Sequence, residues 1–197
     1  MDTLLQLELV VNDFCRVARR TRLDQLDNPT PCELWKVRDI FYHLSVGSMY
    51  ASLLQGEEPS PEDVEAYASQ VDPERERPAI PDEELAASVA ERLAGFVDVY
   101  STPGVLERTI ALHLGEMTGD TFARLSSFDI LVHTWDLATS TGQSVEVADE
   151  VVLEILEWGR GVFADDWRKE YTFAAEAEPR VGASAIERLA AFSGRKT

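Results

Sequence analysis

The sequence has little cysteine and little positive charge. Its two cysteines, Cys15 and Cys32, are too few for a disulfide framework or a four-sulfur metal site. Lysine and arginine total 18 against 36 aspartates and glutamates, which gives a net charge of −18. A surface this acidic repels phosphate backbones and anionic lipid headgroups. We therefore expect neither a nucleic acid nor a membrane surface as a partner.

Long apolar runs are also absent. No run approaches the ~18 residues that would span a bilayer, and residues 1–5 contain neither the basic segment nor the apolar core of a signal peptide. These absences predict a cytoplasmic protein with reduced thiols. A chain of 197 residues is long enough for one domain with a sizeable core and short for two. We therefore predict a single domain over residues 1–197.

What the sequence does contain is helical periodicity. Apolar side chains recur at three- and four-residue steps in five segments, which are approximately Thr3–Arg20, Lys36–Gln55, Asp82–Tyr100, Asp120–Ser140 and Ala148–Asp166. Short helices are predicted at Glu62–Ser69 and Ala183–Phe192, and the alternation over Val105–Leu114 is typical of a strand. The pattern predicts an all-α fold, a helical bundle with short accessory helices and a minor strand element. The segment from about 173 to 197 is expected to pack on the bundle or to trail it.

Two of the three histidines, His43 and His133, lie on helices that are predicted to face a core. Asp129 precedes His133 by four residues, so both side chains project from one helical face and can converge on a cation. His43, at the edge of another apolar stripe, is the natural third ligand. The same spacing also fits a surface ion pair or a hydrogen-bonded core histidine. If this face is buried, a metal ion or a histidinium is expected to compensate the carboxylates, because a buried, unpaired carboxylate is costly.

Other polar residues near these positions have two readings each. Asp39 and Asp136 lie one helical turn from a histidine and are placed to orient an imidazole from behind. For Asp39 an exposed or capping carboxylate is the better interpretation, whereas for Asp136 a structural hydrogen bond and a functional role are balanced. His113 is predicted on the strand, in contact with solvent or a loop. Cys32 is predicted to pack as a small apolar group, and Trp35 to anchor the core.

Three motifs resemble one known family. Residues 30–44 (TPCELWKVRDIFYHL) resemble the opening of the DinB-like superfamily, and more closely the branch of mycothiol-dependent maleylpyruvate isomerase. Residues 129–142 (DILVHTWDLATSTG) resemble the second signature of that branch. Residues 187–195 (ERLAAFSGR) are similar to the tail of small metal-binding members. The three motifs occur in the family's order and span nearly the whole chain.

The resemblance implies a DinB-like four-helix bundle that holds a divalent metal, usually zinc or nickel, through His43, Asp129 and His133. The isomerase has a glutamate where this chain has Asp129, and we expect no counterpart here of its additional C-terminal domain. The resemblance therefore does not extend to the isomerisation of maleylpyruvate itself. The resemblance implies a thiol cofactor such as mycothiol. The expected reaction is thiol addition, thiol transfer or thiol-assisted isomerisation of a small electrophilic substrate.

Two other functions are open at the level of the sequence. One is a non-catalytic bundle that keeps a metal for stability or binds a ligand. The other is metal-assisted hydrolysis, for which Asp136 is the candidate catalytic base. Whether the protein is an enzyme is therefore undecided by sequence. A homodimer is compatible with a helical bundle, although no exposed heptad seam marks a dimer face.

Overall fold

A computed structural model of the chain describes residues 1–71, 80–112, 115–163 and 174–197. Within these ranges the α-helices are α1 Thr3–Arg20, α2 Val37–Leu44, α3 Gly47–Gln55, α4 Pro61–Val71, α5 Asp82–Tyr100, α6 Gly119–Thr141, α7 Asp149–Val162 and α8 Ala185–Phe192. The strands are β1 Thr109–Leu112 and β2 Gly115–Thr118. His113 and the expected end of the fifth helix, residues 164–166, lie outside the described residues.

Four legs form the bundle, namely α1, the α2–α3 pair, α5 and α6. Helix α1 packs against α5 and α6, α2 packs against the same two helices, and α3 packs against α5. Their apolar stripes meet in a core whose largest members are fully buried, among them Phe14, Phe41, Leu85, Phe128 and Leu131. The all-α bundle with a minor strand element is thus confirmed.

The second leg is interrupted, and the prediction of one continuous helix over Lys36–Gln55 is wrong. Helix α2 ends at Leu44 and α3 begins at Gly47. At the break, the Ser45 hydroxyl donates a hydrogen bond to the Tyr42 carbonyl at 2.7 Å. The Ser45 amide contacts the carbonyls of both Phe41 and Tyr42, a tightened last turn that ends the helix. The apolar spacing continues across this break, so periodicity does not reveal it.

Helix α6 carries two of the candidate ligands and has well-defined ends. The side chain of Thr118 accepts a hydrogen bond from the Thr121 amide at 3.3 Å and caps the N-terminus. The C-terminus stops at Gly142, whose φ of +71° is the left-handed conformation that glycine adopts without strain. In front of α6, β1 and β2 form an antiparallel hairpin in which Thr109 pairs with Thr118 and Leu112 with Gly115.

The last helices cover the outer side of α6. Helix α7 packs against α6, and α8 packs against both α6 and α7. Helix α8 begins with a capping box, in which the Ser184 amide donates to Glu187 Oε2 at 2.8 Å and the Glu187 amide donates to Ser184 Oγ at 3.4 Å. None of the helices in the described part of the chain combines the length and the apolarity that a membrane span requires.

Candidate metal centre

The contact between α2 and α6 brings His43, Asp129 and His133 together. His43 Nε2 lies 3.0 Å from Asp129 Oδ2, and His133 Nε2 lies 3.6 Å from Asp129 Oδ1. One donor atom from each of the three side chains lies within 4.8 Å of the other two. Helix α6 supplies the pair that is four residues apart, and the last turn of α2 supplies His43.

This spacing suits a small divalent cation. Zinc binds nitrogen and oxygen ligands at about 2.0–2.2 Å, so tetrahedral neighbours in its coordination sphere lie about 3.4 Å apart. The distances of 3.0 Å and 3.6 Å, which reach different oxygens of Asp129, lie on either side of that value, and the three donor atoms lie within 4.8 Å of one another. Two imidazoles and a carboxylate are also suitable donors for nickel, iron or manganese.

The cluster has an open side and a closed side. The side chains of His43 and Asp129 are 31% and 30% exposed, whereas that of His133 is only 5% exposed. Trp35 covers the cluster, because its indole stacks on the His133 ring at 5.2 Å with an interplanar angle of 7° and lies 5.1 Å from the His43 ring. A ligand from solvent would therefore approach past His43 and Asp129.

A short turn before α2 places Trp35 over the two imidazoles. The Trp35 amide donates to the Cys32 carbonyl at 2.9 Å, and the Thr30 amide and hydroxyl both donate to the Trp35 carbonyl. Leu34 occupies the third position of this turn with a φ of +71°, and its side chain is almost fully exposed. Trp35 packs against the core as expected, and it is also part of the site.

Behind His133 lies a buried carboxylate. Asp136 Oδ2 is 3.1 Å from His133 Nδ1, and the Asp136 side chain has no exposed surface. Burial raises the pKa of Asp136, but the hydrogen bond with His133 and the charge of Arg195 lower this pKa by a larger amount. The carboxylate therefore stays ionised. Burial also lowers the pKa of His133, which keeps the imidazole neutral. Its proton then belongs on Nδ1, facing Asp136, and the Nε2 lone pair faces the cluster.

Asp129 is ionised as well. Burial raises the pKa of its carboxyl, but the neighbouring charged and hydrogen-bonding groups, first among them His43 at 3.0 Å, bring that pKa well below the usual range. The cluster therefore presents a carboxylate and one neutral imidazole with its lone pair turned inward. These are the protonation states that a metal ligand requires.

Asp39 and the cysteines have other surroundings. Asp39 Oδ2 accepts a hydrogen bond from the Lys36 amide at 2.7 Å and so caps α2, as expected from the sequence. Burial raises the pKa of the half-buried Cys32 thiol to about 11. Burial also raises the pKa of Cys15, whose thiol donates to the Ala90 carbonyl. Both thiols are protonated at neutral pH and are weak nucleophiles.

Arg195 was not among the sequence-based candidates. Its Nε and Nη2 atoms donate to Asp136 Oδ1 and Oδ2 at 3.3 Å and 2.9 Å. The tail motif that ends in this arginine pointed to the family but not to a contact with the site. The partners are 59 residues apart in the chain, so helical spacing contains no signal for their contact.

A family model described as the mycothiol maleylpyruvate isomerase N-terminal domain matches residues 7–138 of the chain. The chain belongs to this family. The matched segment contains both histidines of the cluster and Asp129, together with Asp136. It ends before α7 and α8, so Arg195 lies outside it.

Two uncharacterised proteins of Mycobacterium tuberculosis, from strains CDC 1551 and H37Rv, are each 33% identical to this member of the family. Each alignment covers 99% of this chain and 98% of the relative. These relatives therefore share the whole length of the chain, including the region after the family match.

Two crystal structures share the fold, one of the mycothiol-dependent maleylpyruvate isomerase and one of a histidine-to-alanine variant of it. Their TM-scores are 0.58 and 0.59 at 16% and 14% identity. Each match covers 78% of this chain and 66% of the isomerase chain. About a third of the isomerase therefore has no counterpart here, and at this identity the likeness concerns the fold alone.

Proposed function

We propose that His43, Asp129 and His133 hold a divalent metal, zinc or nickel, in a small thiol-dependent enzyme. The observation that carries the proposal is the convergence of the three donors, with Asp136 Oδ2 lying 3.1 Å from the far ring nitrogen of His133. An ordinary surface ion pair would not bury His133 and Asp136, whose side chains are 5% and 0% exposed.

The exposure of the cluster favours a catalytic role over a purely structural one. Three protein ligands leave a coordination position free, whereas structural zinc sites are closed by four. A bound divalent metal would act there as a Lewis acid and lower the pKa of a thiol or water. His43 and Asp129 border the exposed side, and Trp35 excludes water from the opposite face of His133.

The thiol is proposed to be mycothiol, and its support is the family to which the chain belongs. The chain's own cysteines are consistent with an external thiol, because burial raises the pKa of both. The second substrate would be a small electrophile that undergoes thiol addition, thiol transfer or isomerisation. The isomerase region without a counterpart leaves the identity of that electrophile to experiment.

Metal-assisted hydrolysis is the second candidate, and it fits the site less well. Asp136, its base in the sequence analysis, is fully buried, and both of its oxygens accept hydrogen bonds from Arg195. In the present proposal Asp136 orients His133 instead of accepting a proton from water.

The first experiment is elemental analysis of untagged protein beside the His133→Ala variant. Near-stoichiometric zinc or nickel that is lost in the variant would support the site. The metal-loaded protein is then incubated with mycothiol and a panel of small electrophiles that includes maleylpyruvate. Consumption that requires both metal and thiol supports the enzyme. Metal binding without any thiol reaction supports the non-catalytic bundle, and hydrolysis without thiol supports the second candidate.

A further inference from the structure

We infer that Arg195 is a positioning residue of the metal centre, which fixes the orientation of His133 through the Asp136 carboxylate. The inference rests on the metal centre proposed above, and it adds the C-terminal segment to that centre. Arg195 lies beyond residues 7–138, the segment that matches the family model. Its role is therefore argued from the contacts of this chain alone.

The series of contacts from Arg195 through Asp136 to His133 is continuous and buried. The guanidinium donates to both oxygens of Asp136, at 3.3 Å and 2.9 Å, and Asp136 Oδ2 lies 3.1 Å from His133 Nδ1. The side chains of His133, Asp136 and Arg195 are 5%, 0% and 8% exposed. Because both Asp136 oxygens are engaged, the carboxylate has a fixed plane, and the imidazole that donates to it has a fixed orientation.

The end of α8 prepares Arg195 for this contact. The Gly194 amide donates to the Ala191 carbonyl, and the Arg195 amide donates to the Ala190 carbonyl, each at 2.9 Å. This pair of bonds is a Schellman motif, which requires a left-handed residue, and Gly194 has a φ of +91°. Arg195 Nη1 also donates to the Ser193 carbonyl at 3.1 Å. The guanidinium is therefore held by the backbone on one side and directed at Asp136 on the other.

Close packing leaves this turn little freedom. A Cβ atom on residue 194 would lie 2.5 Å from Ala174 Cβ, so the turn passes directly against the described residues that begin at Ala174. The Ala177 amide donates to the Ala191 carbonyl and so connects residues 174–177 to α8. These contacts fix the position of residues 190–195, and with them the position of Arg195 beside Asp136 on α6.

A merely structural ion pair between the tail and α6 is the alternative, and it makes different predictions. A structural pair would affect unfolding but leave the tautomer of His133 and the metal affinity of the folded protein unchanged. A positioning residue affects both. A planar fork is needed to engage both Asp136 oxygens, so lysine would restore the charge but only part of the effect.

The test uses the full chain with Arg195→Lys and Arg195→Met, and Arg180→Met as the control. Arg180 lies in the same C-terminal segment, where it forms an exposed ion pair with Glu187. Zinc affinity is measured by competition with a chromogenic chelator. We expect roughly 10–100-fold weaker binding for Arg195→Met, the range typical of residues behind a metal ligand. Arg195→Lys should lie between Arg195→Met and the native protein, and Arg180→Met should match the native protein.

The second readout is the ¹⁵N spectrum of the histidine rings in the metal-free protein. We expect His133 to carry its proton on Nδ1 in the native protein and in Arg180→Met, and to populate both tautomers in the Arg195 variants. Folded Arg195 variants with native affinity and an unchanged tautomer would overturn the inference. A native His133 protonated on Nε2 would overturn it even if both Arg195 variants fail to fold.

Failure of the proposed function gives a different pattern. If the native protein binds neither zinc nor nickel, the metal centre is refuted, and with it the role of Arg195 in metal affinity. The ring spectra of the metal-free protein still decide whether Arg195 orients His133. The two failures are therefore distinguishable.

Discussion

The two ends of the histidine–aspartate cluster differ in how much solvent reaches them. The side chains of His133 and Asp136 are only 5% and 0% exposed. Trp35 covers the His133 ring, and Arg195 covers the Asp136 carboxylate. His43 and Asp129, at the other end, are 31% and 30% exposed. The closed end has every charge paired inside the protein, and the open end pairs its carboxylate with an imidazole that water can reach.

The difference shows how a small bundle can prepare a site without closing it. Buried charges are tolerated only with partners, so the closed end is rigid by necessity, and it sets the direction of the His133 lone pair. The open end can exchange a hydrogen bond for a ligand at low cost, since water already competes there. We expect substitutions at the closed end to affect folding and those at the open end to affect binding.

The largest effect is expected at the closed end, for Asp136→Ala. This substitution leaves the Arg195 guanidinium buried without its carboxylate, which typically costs about 3–5 kcal/mol. Urea denaturation measures the loss. The matched control is Asp82→Ala, which removes a half-exposed partner of Arg38 and should change the free energy of unfolding by about 1 kcal/mol or less. Equal losses for the two variants would contradict the expected cost of breaking the buried ion pair at the closed end.

Metal addition should act through the open end. Zinc at a thousandfold excess over its dissociation constant should stabilise the protein by about 4 kcal/mol, because it binds only the folded chain. Thermal denaturation with zinc, and then with excess chelator, measures this gain and its reversal. His43→Ala should abolish the response to zinc, and the stability that it loses with the 3.0 Å contact to Asp129 is measured separately in excess chelator. A zinc response retained in His43→Ala would remove His43 from the site.

Asp129 separates ligand chemistry from ligand length. Substitution of a residue that only supports a metal ligand typically weakens metal affinity by roughly 10–100-fold. Asp129→Ala removes the ligand itself and should weaken zinc binding by at least as much. Asp129→Glu keeps the carboxylate and should bind zinc with an affinity near that of the native protein. Isothermal titration calorimetry of both variants measures the difference. Native affinity in Asp129→Ala would show that the carboxylate is not a ligand.

The smallest effect is expected in the turn that carries Trp35. Leu34→Gly removes a side chain that is almost fully exposed and relieves a left-handed φ of +71°. The free energy of unfolding should rise by up to about 1 kcal/mol, because the relief exceeds the entropy that glycine costs. Glu33→Gly, one residue earlier, has no left-handed φ to relieve and should lower stability. Chemical denaturation of the pair tests the sign, and a loss in both variants would argue against strain at Leu34.

Part of this site could be predicted from local sequence. Asp129 and His133 are four residues apart on a helix, and that spacing alone places them on one face. The end of α6 is likewise predicted by a local signal, Gly142, and α8 is predicted by its apolar spacing. The break between α2 and α3 is not, because the apolar spacing runs through Ser45 without change.

The sequence by itself determined the helical bundle, the family and the α6 pair of candidate ligands, since each depends on residues a few positions apart. Only the tertiary structure brought His43 to Asp129 across 86 residues and Arg195 to Asp136 across 59. It also decided which end of the cluster is buried. The physical reason is that helical periodicity specifies which face of a helix turns inward. The partner that face meets depends on how all the helices pack together.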